Sequence, residues 1–307
     1  MPLPAVIPPP PIQALELGPL TVYLYGIVIA FGAYLALRWT ISRYAALGGD
    51  ADLAERAGLA ALLFGFAGAR IAFVLPRLDR FLADPLSILR IWEGGLAVFG
   101  GLTAGTLAVI VVIRRGGGSV PAIADAVAPG LPLAQAIGRW GNYFNQELYG
   151  RPTDLPWALE VEPGRRRPGF EESATFHPTF LYESLWNLAL VGLILRLDRR
   201  GRLPRGALIL VYAVGYGVGR FLVELIRIDT DARYAGLSRN NWVALAVAIG
   251  GLVGLLRLRG TGAAAAADED TGDAEDGTAD DAGGIADEDR PAGDEGTSAP
   301  SEGTTGS

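Results

Sequence analysis

Apolar positions in this chain come in long runs. Leu20–Leu37 and Gly94–Ile113 contain no charged residue. Ala57–Leu75 is broken only by Arg70, Pro178–Leu195 only by Glu183, and Gly206–Ile226 by Arg220 and Glu224. Asn241–Leu256 is the last of them. A bilayer core takes about 20 mostly apolar residues per helix, so each run predicts a membrane span. A seventh, Ser119–Gly138, carries Asp125 and prolines 121, 129 and 132. It predicts a span that is kinked or partly re-entrant, because non-helical backbone at membrane depth needs cover from protein or water. Between the fourth and fifth runs, residues 151–176 are polar and include "EPGRRRPGFEES". The expected fold is an all-α polytopic membrane helix bundle of about seven transmembrane helices, with a small extracytoplasmic subdomain.

Charge divides the chain in two. From Thr261 to Ser307 there are 14 acidic residues and one arginine, and almost nothing large and apolar. Like charge without a core predicts a disordered acidic tail over 261–307, with a transmembrane domain over 1–260. The body holds 25 arginines against 19 acids, so the overall charge of −7 belongs to the tail. No basic residue precedes Arg38, so the first run reads as a retained helix and not as a cleaved signal peptide. Arginine counts on the two sides nearly balance. The densest short basic loop, "RLDRRGRLPRG", favours an outside N-terminus and a cytoplasmic tail. The chain has no cysteine and one histidine, His177. Thiolate nucleophiles, disulfides and His-rich metal sites are thereby excluded, and neither a cofactor nor a nucleic-acid partner is expected.

Charges inside spans are costly and normally face a bundle interior or a cavity. Tyr216, Arg220 and Glu224 recur every four residues in "YGVGRFLVELIRID", along one helix face. A self-neutralising Arg–Glu pair accounts for two of them, and the tyrosine and the nearby Arg227 suggest more. Asp125, just before Ala128-Pro129, reads equally as a cap or a kink. The five glycines of "WEGGLAVFGGLTAG" read first as close helix packing. "GRWGNYFNQELYGRP", residues 138–152, is the richest polar stretch. If it is helical to residue 147, Arg139, Asn142 and Gln146 share a face with Glu147 beside them. An ordered external loop is one reading. The other is a site for an anionic headgroup, since the planar guanidinium fork suits a phosphate diester and amides add hydrogen bonds.

"GRWGNYFNQELYG" resembles the signature G-R-x-G-N-[FY]-x-N-x-E of the bacterial prolipoprotein diacylglyceryl transferases. "LYGIVIAFG", "DAVAPGLPLAQAIGR", "HPTFLYES" and "YGVGRFLVELIR" resemble that family too, in its order and spacing, over about residues 15–258. The resemblance implies a seven-span enzyme of the bacterial cytoplasmic membrane with its N-terminus outside. Such an enzyme moves the diacylglyceryl group of phosphatidylglycerol to the lipobox cysteine of prelipoproteins, releasing glycerol 1-phosphate. It implies substrate-binding roles for Arg139, Asn142, Asn145, Glu147 and Gly150. It also implies catalytic roles for Arg139, Arg220, Tyr25, Tyr216 and Glu224. Its partners would be phosphatidylglycerol, lipobox signal peptides and membrane lipids.

The chain departs from the family at "GGLAVFGGL", where many members carry a histidine and this one has Phe99. "SRNNW" before the last span departs as well. Without an imidazole at residue 99, a positive field that favours the thiolate replaces a dedicated base. Arg139 would then grip the lipid phosphate. Arg220, held by Glu224, would stabilise the leaving group and polarise the thiol. The rival expectations are an anionic-lipid transporter or scramblase and a non-catalytic lipid-binding protein. No internal repeat favours the first.

Overall fold

The computed structural model describes residues 6–18, 20–230 and 233–275, so most of the tail expected to be disordered, 276–307, lies outside the described residues. Among them, seven helical stretches are long and apolar enough to cross a membrane. They are α1 (Leu24–Ala46), α2 (Ala51–Val74) with its continuation α3 (Leu78–Ala83), α4 (Val98–Arg115), the pair α5 (Val120–Val127) and α6 (Gly130–Asn145), α7 (Thr179–Arg199), α8 (Ala207–Glu224) and α9 (Arg239–Glu275). The apolar part of α9 is Arg239–Gly260. Two compact units divide at Gly262/Ala263, and every side-chain contact described below lies in the first.

Among the described residues there are also three two-stranded antiparallel ribbons. β1 (Ala14–Leu17) and β2 (Leu20–Tyr23) form a hairpin that leads into α1. The apolar run at Leu20 thus begins as a strand and becomes helix only at Leu24. β3 (Leu159–Glu160) pairs with β4 (Thr175–Phe176) in the polar segment, and β5 (Arg233–Tyr234) with β6 (Leu237–Ser238) between α8 and α9. Tyr149, Leu159, Val161, Phe176 and Phe180 give the polar segment its own small apolar cluster. Outward-facing residues of the spans are large and apolar, such as Phe31, Leu63 and Leu102. Such a surface is expected against lipid and unusual against water.

The charges inside spans find their reasons here. Arg70 is buried, and its guanidinium donates to five carbonyls of the segment before α4: Ser87, Ile88, Arg90, Gly94 and Gly95, at 2.6–3.4 Å. Asp125 caps a helix, but not its own. Its two carboxylate oxygens accept from Gly206 N at 2.7 Å and Leu208 N at 2.9 Å, satisfying orphan donors at the start of α8. The seventh span is kinked as expected, breaking at Ala128 and Pro129 between α5 and α6 and running on to Asn145. The glycines of α4 serve packing: a Cβ on Gly100 would fall 2.5 Å from the Gly68 carbonyl oxygen of α2.

Candidate active site

The last turns of α6 and α8 and the first turns of α1 and α7 meet at one end of the bundle. Arg139 lies on α6, and one turn later Asn142 places its Oδ1 3.5 Å from Arg139 Nη1. The helix stops at Asn145 because Gln146 and Leu148 take left-handed backbone conformations, at φ 51° and 60°. This corrects the expectation that Gln146 shares the face of Arg139. Its buried side chain instead accepts from the Glu162 backbone N–H at 2.9 Å. The reversal turns Glu147 back under the helix, where its Oε1 accepts from Asn142 Nδ2 at 2.9 Å and Asn145 Nδ2 at 3.4 Å. Arg139, Asn142, Glu147 and Asn145 thus form one connected polar string. Tyr25, in the first turn of α1, packs its ring over Gly141 and lies close enough to Glu147 and Arg139 to feel their charges.

The centre of the site is a residue whose importance is not visible in the sequence. Glu183, on the second turn of α7, is 7% exposed at its side chain, and its Oε2 sits 2.6 Å from Arg139 Nη2. Its Oε1 is 3.7 Å from Arg220 Nη1 and 3.7 Å from Arg227 Nη1. Three guanidinium groups, from α6, α8 and the segment after α8, therefore converge on one carboxylate. The signal available was that an acid inside an apolar run demands a counter-charge, but the counter-charges come from distant parts of the chain.

Arg220 is anchored as the spacing suggests, with Nη2 2.7 Å from Glu224 Oε2. Glu224 is anchored in turn: its Oε1 accepts from Ser238 Oγ at 2.8 Å, Thr230 Oγ1 at 2.9 Å and Asn240 Nδ2 at 3.0 Å. Two of these donors belong to "SRNNW", the stretch that departs from the family pattern. Arg227 forms a two-pronged bond to Asp229, both arms 2.7 Å. Burial disfavours the charged forms of both. For Arg227, the hydrogen bond to Asp229 and the nearby acids prevail and raise its pKa. For Asp229, the bond to Arg227 and its charge prevail and lower it. Tyr216 stacks on Tyr212, ring centroids 5.8 Å apart, and lines a narrow cleft with Glu183, Asn187 and Arg220.

Gly150 contributes backbone. It lies opposite Arg227 across an antiparallel bridge and donates from its N–H to the His177 carbonyl at 2.9 Å. Neither the single histidine nor Phe99 joins the arginine cluster. The His177 ring contacts Tyr182, Nδ1 to hydroxyl 3.1 Å, at the junction between β4 and α7. Burial and the charge of Arg151 hold its pKa below the usual histidine value. Phe99 stands largely exposed in the first turn of α4. A wider groove lined by Arg233, Tyr234, Arg239 and Trp242 contains none of the clustered residues. What the cluster can do chemically is hold a phosphate-type anion among guanidinium donors in a low-dielectric place, where charge-assisted bonds are strongest.

A family model described as prolipoprotein diacylglyceryl transferase matches residues 12–257. The phosphatidylglycerol–prolipoprotein diacylglyceryl transferase 2 of Streptomyces coelicolor is 40% identical over 281 residues, covering 86% of this chain and 89% of that one. The corresponding transferase of Frankia alni is 44% identical over 259 residues, with 83% and 68% covered. That of Corynebacterium diphtheriae is 41% identical over 271 residues, with 83% and 96% covered. With a match that runs from the first hairpin to the last span, and seven helices fit to cross a membrane, the chain belongs to the prolipoprotein diacylglyceryl transferase family.

Proposed function

We propose that the protein transfers the diacylglyceryl group of phosphatidylglycerol to the sulfhydryl of a prelipoprotein lipobox cysteine, releasing glycerol 1-phosphate. The observation that carries this reading is the convergence of Arg139, Arg220 and Arg227 on one carboxylate at one end of a membrane bundle. In the reaction the thiol sulfur bonds to the glyceryl carbon next to the phosphate, and the carbon–oxygen bond there breaks. The electron pair goes to the departing phosphate, which also accounts for the thiol proton. Arg139 grips the phosphate, aligned by Asn142, Asn145 and Glu147. Arg220, fixed by Glu224, stabilises the charge that grows on the leaving oxygen. Tyr25 and Tyr216 flank this position and orient the headgroup. With Phe99 where an imidazole would stand, the positive field of the arginines favours the attacking thiolate.

The protein sits in the bacterial cell membrane with its N-terminus outside and its acidic tail in the cytoplasm. This reading follows the dense arginine loop between α7 and α8. The deciding experiment combines purified protein, phosphatidylglycerol vesicles and a lipobox peptide. Mass spectrometry should find a thioether-linked diacylglyceryl peptide and free glycerol 1-phosphate. Movement of lipid between leaflets without that product would favour a scramblase instead.

A further inference from the structure

Three acids face the three arginines of the site, and they are held differently. Glu224 has a collar of neutral donors, Thr230, Ser238 and Asn240. Asp229 is locked to Arg227 by two hydrogen bonds. Glu183 alone of the three has arginines as its only side-chain partners among the described residues. Its contacts are also uneven, close to Arg139 at 2.6 Å and loose to Arg220 and Arg227 at 3.7 Å. The Nη1 of Arg220 that faces Glu183 is buried and makes no hydrogen bond. A buried donor without an acceptor is costly, so this cradle is incompletely filled by one carboxylate.

We infer that Glu183 is a resident anion: it holds the phosphate position among the three arginines while the site is free of lipid, and gives that position up when a phosphate ester arrives. The inference rests on the proposed reading of the cluster as the phosphate site and adds a positioning residue to it. With Glu183 in place, three cations face three acids in direct ion pairs, and that ion-paired set is neutral. Arg220 on Glu224, Arg227 on Asp229 and Arg139 beside Asn142 keep anchors of their own, and the Glu183 carboxylate offsets their mutual repulsion while the site is empty. It also competes with the ligand, so it lowers anion affinity and lets the product leave. A residue that merely braced the bundle would have the opposite signature, since its loss would scatter the arginines and weaken anion binding.

The test is equilibrium binding to the purified full-length protein, with phosphatidylglycerol in nanodiscs, glycerol 1-phosphate and inorganic phosphate as separate probes. Glu183→Gln is expected to bind phosphatidylglycerol and glycerol 1-phosphate about tenfold more tightly, equivalent to ~1.4 kcal/mol. Its KM should fall together with its kcat. Glu183→Asp withdraws the carboxylate by one methylene and should tighten binding by a smaller factor, so it carries the test if the glutamine variant does not fold. Unchanged or weaker binding in the folded variants overturns the inference, as does tightening confined to inorganic phosphate. A wild-type protein that transfers lipid but whose variants bind no more tightly sinks this inference alone. A wild-type protein that binds none of the probes sinks the phosphate-site reading with it.

Discussion

Gly150 and Arg227 face each other across an antiparallel bridge, and the next amide, Arg151 N, donates to the Ile226 carbonyl at 2.9 Å. The glycine lets two extended segments lie against each other beneath an arginine of the site. A Cβ at residue 150 would fall 2.8 Å from His177 Cβ and 3.1 Å from the Ile226 carbonyl oxygen, which is backbone and cannot swing aside. Gly150→Ala should therefore cost about 1–3 kcal/mol of stability and displace Arg227. A thermal-melt comparison in detergent, with turnover measured on the folded fraction, checks both effects. Wild-type turnover in that fraction would show that Arg227 does not depend on the bridge.

Arg220 makes its contacts through two different nitrogens, Nη2 to Glu224 and Nη1 towards Glu183. A lysine has one compact charge and cannot serve both. Arg220→Lys should lose about a hundredfold in kcat, the scale of losing one donor to a developing oxyanion, at unchanged expression. Full activity would remove Arg220 from the reaction.

Asp125 holds the first turn of α8 from another helix. Replacing it with alanine should lower stability by about 1–2 kcal/mol, as for other lost caps. Asp125→Asn, which keeps one acceptor oxygen, should lose about half as much. Melting curves of the two variants against wild type give the ordering.

The Arg227–Asp229 pair has a pH signature. The carboxyl of Asp229 titrates below its ordinary value of 3.8 in the folded protein. The unfolded chain therefore binds the proton first as pH falls. Stability from this pair is complete above the ordinary value and is lost as pH drops through the folded one. In melts from pH 7 downwards, the gap between wild type and Asp229→Asn should stay constant to about pH 4 and close below it. A gap that closes near neutrality would point to another group.

Deleting residues 261–307 should leave kcat and KM for the membrane-embedded body unchanged, since no site residue lies beyond Asn240. Transfer assays on the shortened protein in vesicles measure this directly.

Much of the architecture was legible in the linear order of residues because membrane spans are written locally: about 20 apolar residues in a row suffice. All seven runs reappear as helices, with shifted ends. The ends moved where local geometry outweighed hydrophobicity, as at Leu20–Tyr23, which pairs as a strand, and at Gln146, whose left-handed backbone ends α6. Pairs one or two helical turns apart, such as Arg220 with Glu224 and Arg139 with Asn142, were legible for the same reason of locality. Glu183 was not. Its partners lie 37 to 44 positions away on other elements, and nothing within one helix announces that three segments will aim at it. The collar of Glu224 was hidden likewise, because Ser238 and Asn240 read as an anomaly until the chain folds back over α8.

The bond from Asp125 to the start of α8 has a consequence at the far end of that helix. With Asp125 pinning its first turn and the Ser238, Thr230 and Asn240 collar pinning its last residue, α8 cannot slide along its axis. It is a strut of 18 residues, ~27 Å at 1.5 Å per residue, and Arg220 rides one turn from its end. The height of Arg220 across the bilayer is thus set by two fixed joints and not by what the site holds. A cradle mounted in this way chooses the bond it meets by depth. On the proposed reading, a lipid is met where its phosphate lies at that level.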